Sequence, residues 1–197
     1  MLNDRSSAAA LLATRRSAKP AALGDPGPTP AELDAILGTA MRVPDHGKLA
    51  PWRFIVIGRA ERSAFAGVLE AALASERPDA PEAERAKLRA MALAAPTLVV
   101  LLSTPVHGHR IPVWEQQLSA GAAAYALLAA AHARGFAASW VTGWAAYSPH
   151  MLSALGGAAG DRIAGFLHIG TPTAPLEERA RPVPADVVRP WLGPAAA

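Results

Sequence analysis

At 197 residues, 51% hydrophobic and free of cysteine, the chain can bury one core, and it has no means for disulfides, a thiolate nucleophile or a thiolate-bound metal. Nineteen basic against 16 acidic residues leave a net charge of +3, which suits an anionic small molecule but is not the dense basic stripe of a nucleic-acid binder. The longest uncharged stretches, "MALAAPTLVVLLSTPV" and "QQLSAGAAAYALLAAA", fall short of the roughly 18 strongly apolar residues of a membrane span. The N-terminus lacks the apolar core of a signal peptide, so a soluble, cytoplasmic protein with no nucleic-acid or membrane partner is expected.

Residues near Asp4 to Thr14 read as a helix with Ala8, Leu11 and Leu12 on one side, and "AKPAALGDPGPTP" reads as a loop. In "TPAELDAILGTAM", Thr29 is placed as N-cap, Pro30 at the first helical position and Glu32 as the return arm of a capping box. Leu33, Ile36, Leu37, Ala40 and Met41 then follow helical spacing. The segment "WRFIVIG" predicts a strand from Trp52 to Ile57. A helix from about Ala60 follows, with Phe65, Val68, Leu69, Ala72 and Leu73 as its buried stripe, and then a charged helix in "DAPEAERAKLRAMALA".

Pro96 opens the apolar run "TLVVLLS", which suits a central strand covered on both faces. From about Val113 to Arg134 runs a long helix, apolar nearly all round after Leu118, and such a helix is expected inside. "AASWV" and "RIAGFLHIG" predict two further strands. The many prolines of the tail exclude one continuous helix. Strands alternating with helices predict one α/β or α+β domain spanning 1–197, with about 173–197 an extended C-terminal arm lying on a surface, its own or a partner's.

No G-x-S-x-G, H-E-x-x-H or Walker A pattern is present, and the histidines of "VHGHR" have no third ligand in view, so neither a nucleophile nor a metal site is expected. Chemistry absent from the side chains points to a cofactor held by the protein. The arginines Arg15, Arg16 and Arg42 follow helix ends, where a cation also favours the dipole, but a guanidinium fork matches phosphate and Ser17 adds a donor. Those residues leave both readings open.

The fragments "RRS", "MRVPDHGKLAPWRF", "WEQQLSAGAAAYALLAAAHARGF", "SWVTG" and "GFLHIGTP" occur in this order in nitroreductase-like flavoproteins, and the chain resembles their YdjA-like subgroup of NAD(P)H nitroreductases from about Arg15 to Pro172. The resemblance implies an α+β fold: a three-layer α-β-α sandwich with a small mixed sheet around a buried central helix, in an intertwined homodimer with two FMN molecules at the interface. It implies FMN-dependent hydride transfer from NADH or NADPH, in ping-pong order through flavin N5, to a nitroaromatic, quinone or similar electron-poor acceptor. A flavin-binding protein for storage or sensing is the alternative.

By the same resemblance Arg15, Arg16 and Ser17 hold the FMN phosphate and ribityl chain from one subunit, and Arg42 and His46 reach that flavin from the other. Trp140, Val141 and Thr142 lie beside the ring, with a backbone N–H near Thr142 and Gly143 facing N5, so that no side chain is catalytic. Arg179 or Arg181 would add phosphate contacts. Lys48 and Ala50 stand where many relatives carry neutral polar residues; Lys48 either stabilises a reduced, anionic flavin or is a solvated loop lysine.

Overall fold

Strand β5 (Arg162–Pro172) is the axis of the sheet in the computed structural model, which describes residues 1–193. One edge of β5 pairs with β3 (Thr97–Ser103), whose outer neighbour is β2 (Trp52–Ile57). Its other edge pairs with β4 (Ala137–Val141), and its C-terminal end takes the two-residue β1 (Leu23–Gly24). Every pairing among the described residues is antiparallel, which corrects the mixed sheet implied by the resemblance. Two consecutive helices, α3 (Arg62–Glu76) and α4 (Glu82–Leu93), carry the chain from β2 to β3, and the three reversals on that path leave β3 antiparallel to β2.

The pleat sends alternate residues into two cores. Val99, Leu101, Leu167 and Ile169 meet α2 (Pro30–Ala40) and α5 (Val113–Ala133) on one face. Leu98, Val100, Leu102 and Phe166 meet α3, α4 and α6 (Pro149–Ala154) on the other. Each residue of β3 is buried, as expected of a strand covered on both sides. Three layers result.

Local signals explain the boundaries. The Thr29 side chain accepts from the Glu32 N–H while the Glu32 carboxylate accepts from the Thr29 N–H at 2.8 Å, so the capping box is complete. The first helix, α1 (Ala8–Thr14), begins four residues after Asp4, because Ser7 takes the N-cap and accepts from Ala10 N–H. Helix α4 ends against an internal arginine. The buried Arg62 guanidinium donates to the carbonyls of Ile57, Ala92 and Ala94, which caps α4 from inside the protein. Burial pulls its pKa down to about 10, so it stays charged at neutral pH.

Helix α5 departs from the expectation of a wholly internal helix. Its inner side is buried, but Trp114, Leu118 and Tyr125 are 66%, 54% and 42% exposed along one outer stripe. Among the described residues after Pro172, regular structure is confined to one turn, α7 (Pro184–Val187), and Trp191 and Leu192 are exposed. No helix among the described residues is long and apolar enough to cross a membrane.

Candidate functional site

The segment after α1 is held open by Asn3. Its side-chain oxygen accepts from the Arg16 N–H at 2.7 Å and its amide donates to the Arg16 carbonyl at 3.3 Å, so residues 15–17 run extended instead of continuing the helix. Arg15 lies with its guanidinium 5.7 Å from the Tyr125 ring centroid on α5 and donates to Ser17 Oγ at 3.2 Å. Arg16, Ser17 and Lys19 line a cavity of ≈ 330 Å³ that is closed by Ser139 and Val141 of β4 and by Leu176 of the tail. A larger cavity of ≈ 500 Å³ beside Leu33, Leu37 and Val56 is lined chiefly by apolar groups, so chemistry, not volume, singles out the first.

Strand alternation divides the "SWVTG" segment. Ser139 and Val141 face the Arg16 cavity, whereas Trp140 turns to the α5 side of the sheet, where its Nε1 donates to the Ala164 carbonyl at 2.9 Å. Thr142 and Gly143 follow β4 as exposed backbone, and Gly143 has φ +109° with nothing within 4 Å of where a Cβ would stand. Its N–H donates to no acceptor among the described residues.

His132, at the end of α5, accepts on Nε2 from the Ala138 N–H at 3.2 Å and so joins that helix to β4. Burial, with Arg15 nearby, lowers its pKa to about 4, so it is a neutral interior imidazole and not a ligand. Among the described residues no group of three or more His, Asp or Glu could hold a metal.

His46 lies elsewhere, beside the start of α5, and Arg42 opens the loop that carries it. Asp45 organises their loop: its two carboxylate oxygens accept from Leu49 N–H at 3.1 Å and Ala50 N–H at 2.8 Å. Ser119 on α5 accepts from Trp52 Nε1 at 3.1 Å and donates to the Pro44 carbonyl at 2.7 Å, which seats the loop on helix and strand together. His46 Nδ1 stands 2.7 Å from Glu115 Oε2. From Glu115 to Tyr125 the helix climbs about 15 Å at 1.5 Å per residue. One chain therefore carries two separated clusters on α5, the first with Arg15, Arg16 and Ser17 and the second with Arg42 and His46.

Lys19 and Ser139 line the cavity although sequence reasoning passed over both. Lys19 follows the basic "RRS" run by two residues, and Ser139 shares a strand face with Val141; those were the signals available.

The sequence pattern of the nitroreductase family matches residues 12–171. The chain is 38% identical over 162 residues to a protein of Escherichia coli K12 named "Putative NAD(P)H nitroreductase YdjA", covering 82% of this chain and 86% of that one. It is 36% identical over 172 residues to a Haemophilus influenzae protein named "Putative NAD(P)H nitroreductase", covering 87% and 91%. In fold it is similar to a nitroreductase-like family protein of Bacillus cereus, with TM-score 0.80 and 24% identity over 95% of this chain and 97% of the other. A nitroreductase of Bacteroides fragilis, solved with bound FMN, gives TM-score 0.69 and 20% identity over 94% and 99%. The chain belongs to the nitroreductase family.

Proposed function

We propose that this chain is an FMN-dependent NAD(P)H oxidoreductase acting as a cytoplasmic homodimer. The observation that carries the reading is the donor set of the Arg16 cavity: two cations and the Ser17 hydroxyl line it beside Glu177, and Arg15 is bonded to that hydroxyl. Cations and hydroxyls without a lining histidine suit a phosphate ester better than a metal ion.

In this reading Arg15, Arg16 and Ser17, with Lys19, hold the phosphate and ribityl chain of FMN from one protomer, and Arg42 and His46 approach the same flavin from the other. The separation of the two clusters by about 15 Å along α5 supports a site shared between two protomers. The exposed stripe of Trp114, Leu118 and Tyr125 supports α5 as the face on which two protomers meet. Val141 would lie beside the ring, Trp140 and Thr142 would contribute main chain there, and the unengaged Gly143 N–H is a donor for N5.

Bound FMN would supply a hydride relay between NAD(P)H and a nitroaromatic, quinone or similar acceptor, one after the other in ping-pong order. The protein contributes grip, orientation and positive potential; no side chain acts as acid or base. Purified protein should be yellow, and anaerobic NAD(P)H should bleach it quickly. A colourless protein that takes up no added FMN would overturn the reading, and a yellow one that NAD(P)H does not bleach would favour storage or sensing.

A further inference from the structure

Two loops meet at the start of α5. A Cβ at Gly47 would run into Ile111, so residues 45–50 pack directly on residues 106–111. Each loop has its own clamp. Asp45 binds the Leu49 and Ala50 N–H groups of the first. Buried Gln116 binds the second: its side-chain oxygen accepts from Val106 N–H at 2.8 Å and its amide donates to the carbonyls of Val106 and Ile111.

The first clamp holds Lys48 and Ala50 at φ +56° and +46°, a left-handed conformation that L residues rarely adopt. A lysine that merely solvates a loop needs no such arrangement, and backbone held in this region commonly marks a binding segment. Lys48 and Arg110 sit one residue to either side of the Gly47–Ile111 contact, and Arg42 starts the same loop. Both carboxylates of the region are engaged, Asp45 by backbone N–H groups and Glu115 by His46. Among the described residues Arg42, Lys48 and Arg110 form no ion pair.

We infer that Lys48 and Arg110 form a preformed cationic rim that selects substrates bearing an anionic group. The inference rests on the proposed function, which puts His46, two residues from Lys48, against the flavin. The ligand chemistry is a carboxylate or phosphate, carried near the reacting ring of a flat acceptor or at the adenosine end of a nicotinamide nucleotide. Its source is either the electron-poor acceptor or the 2′-phosphate that distinguishes NADPH from NADH.

The test uses FMN-loaded protein, wild type and the variants Lys48→Gln, Arg110→Gln and their combination. Flavin absorbance is titrated with benzoate and with benzamide, two unreactive molecules of equal shape and different charge. Wild type should bind benzoate about three- to tenfold more tightly, a preference that falls toward unity in the double variant and in high salt. Two kinetic ratios of kcat/KM then distinguish the sources: para-nitrobenzoate over para-nitrobenzamide, and NADPH over NADH. Collapse of either ratio in the double variant supports the rim and identifies what it reads. Equal binding of benzoate and benzamide by a yellow, NAD(P)H-bleached wild type, with both ratios untouched by the substitutions, overturns the rim alone. A protein that takes up no FMN overturns the proposed function and the rim with it.

Discussion

His46 Nδ1 and Glu115 Oε2 stand 2.7 Å apart, joining the loop after α2 to the first turn of α5 across 69 residues of sequence. Both side chains are more than 40% exposed, so the pair adds little to stability; its effect is to fix where the imidazole points. Replacing Glu115 by Gln keeps a hydrogen-bonding group and removes the charge. FMN affinity, measured by quenching of flavin fluorescence, should fall about two- to fivefold while the melting temperature barely moves.

Arg16 and Lys19 line the same cavity with different geometry. Arg16 is largely enclosed and can grip two phosphate oxygens, whereas the Lys19 side chain is 82% exposed. Arg16→Gln should weaken FMN binding about ten- to a hundredfold, and Lys19→Gln only a few-fold. Equal losses in parallel titrations would remove Arg16 from its leading position.

The outer stripe of α5 exposes Leu118 and Tyr125, and on the proposed reading this is where a second protomer packs. Leu118→Asp would place a charge in an apolar contact, so association should weaken about thirtyfold or more. Sedimentation should then show monomers, and flavin should be lost together with the dimer. A dimer that survives the substitution with full flavin would place the contact elsewhere.

Gly47 and Gly108 both have φ near +74°, at +75° and +73°, but only at Gly47 would a Cβ meet a neighbour, Ile111. Alanine at either position pays about 1–2 kcal/mol for the left-handed backbone. Gly47→Ala should cost about 1–3 kcal/mol more for the clash. The difference in urea midpoints between the two variants measures the packing of one loop on the other.

Stability should depend on acid through two buried imidazoles. Burial lowers the pKa of both His132 and His168 to about 4 from the ordinary 6.5, and both are neutral in the folded protein. Between those values the unfolded chain binds protons that the folded one does not, so stability falls as pH drops from about 6.5 to 4 and is flat above. The full loss is about 3 kcal/mol for each histidine. His132→Gln, which can still accept from the Ala138 N–H, should remove about half of the slope in urea midpoints taken across that range.

Much of this was legible in the sequence where the governing interaction is local. The capping-box partners Thr29 and Glu32 stand three positions apart, and β2 begins and ends at the predicted Trp52 and Ile57. The burial of β3 follows from its unbroken apolar run. Strand direction was not legible, because pairing β3 with β5 joins residues 59 to 72 positions apart. The outer stripe of α5 was misjudged because Leu118 and Tyr125 look the same to a periodicity argument whether they face a core or another protein. At the candidate site the basic run 15–16 was visible, but its division from Arg42 and His46 by a stretch of α5 depends on tertiary packing. The outward turn of Trp140 was available from strand alternation once Ser139 and Val141 were placed together.

Arg16 also anchors the tail: its Nε donates to the Glu177 carbonyl at 2.7 Å and lies 3.4 Å from the Glu178 carboxylate. A phosphate drawn into the cavity would compete for the same guanidinium, and its negative charge would repel the two glutamates. If Arg16 holds the cofactor as proposed, loading and tail docking are thermodynamically linked through one side chain, so the empty and the filled protein should differ in how readily a protease cuts beyond Pro172.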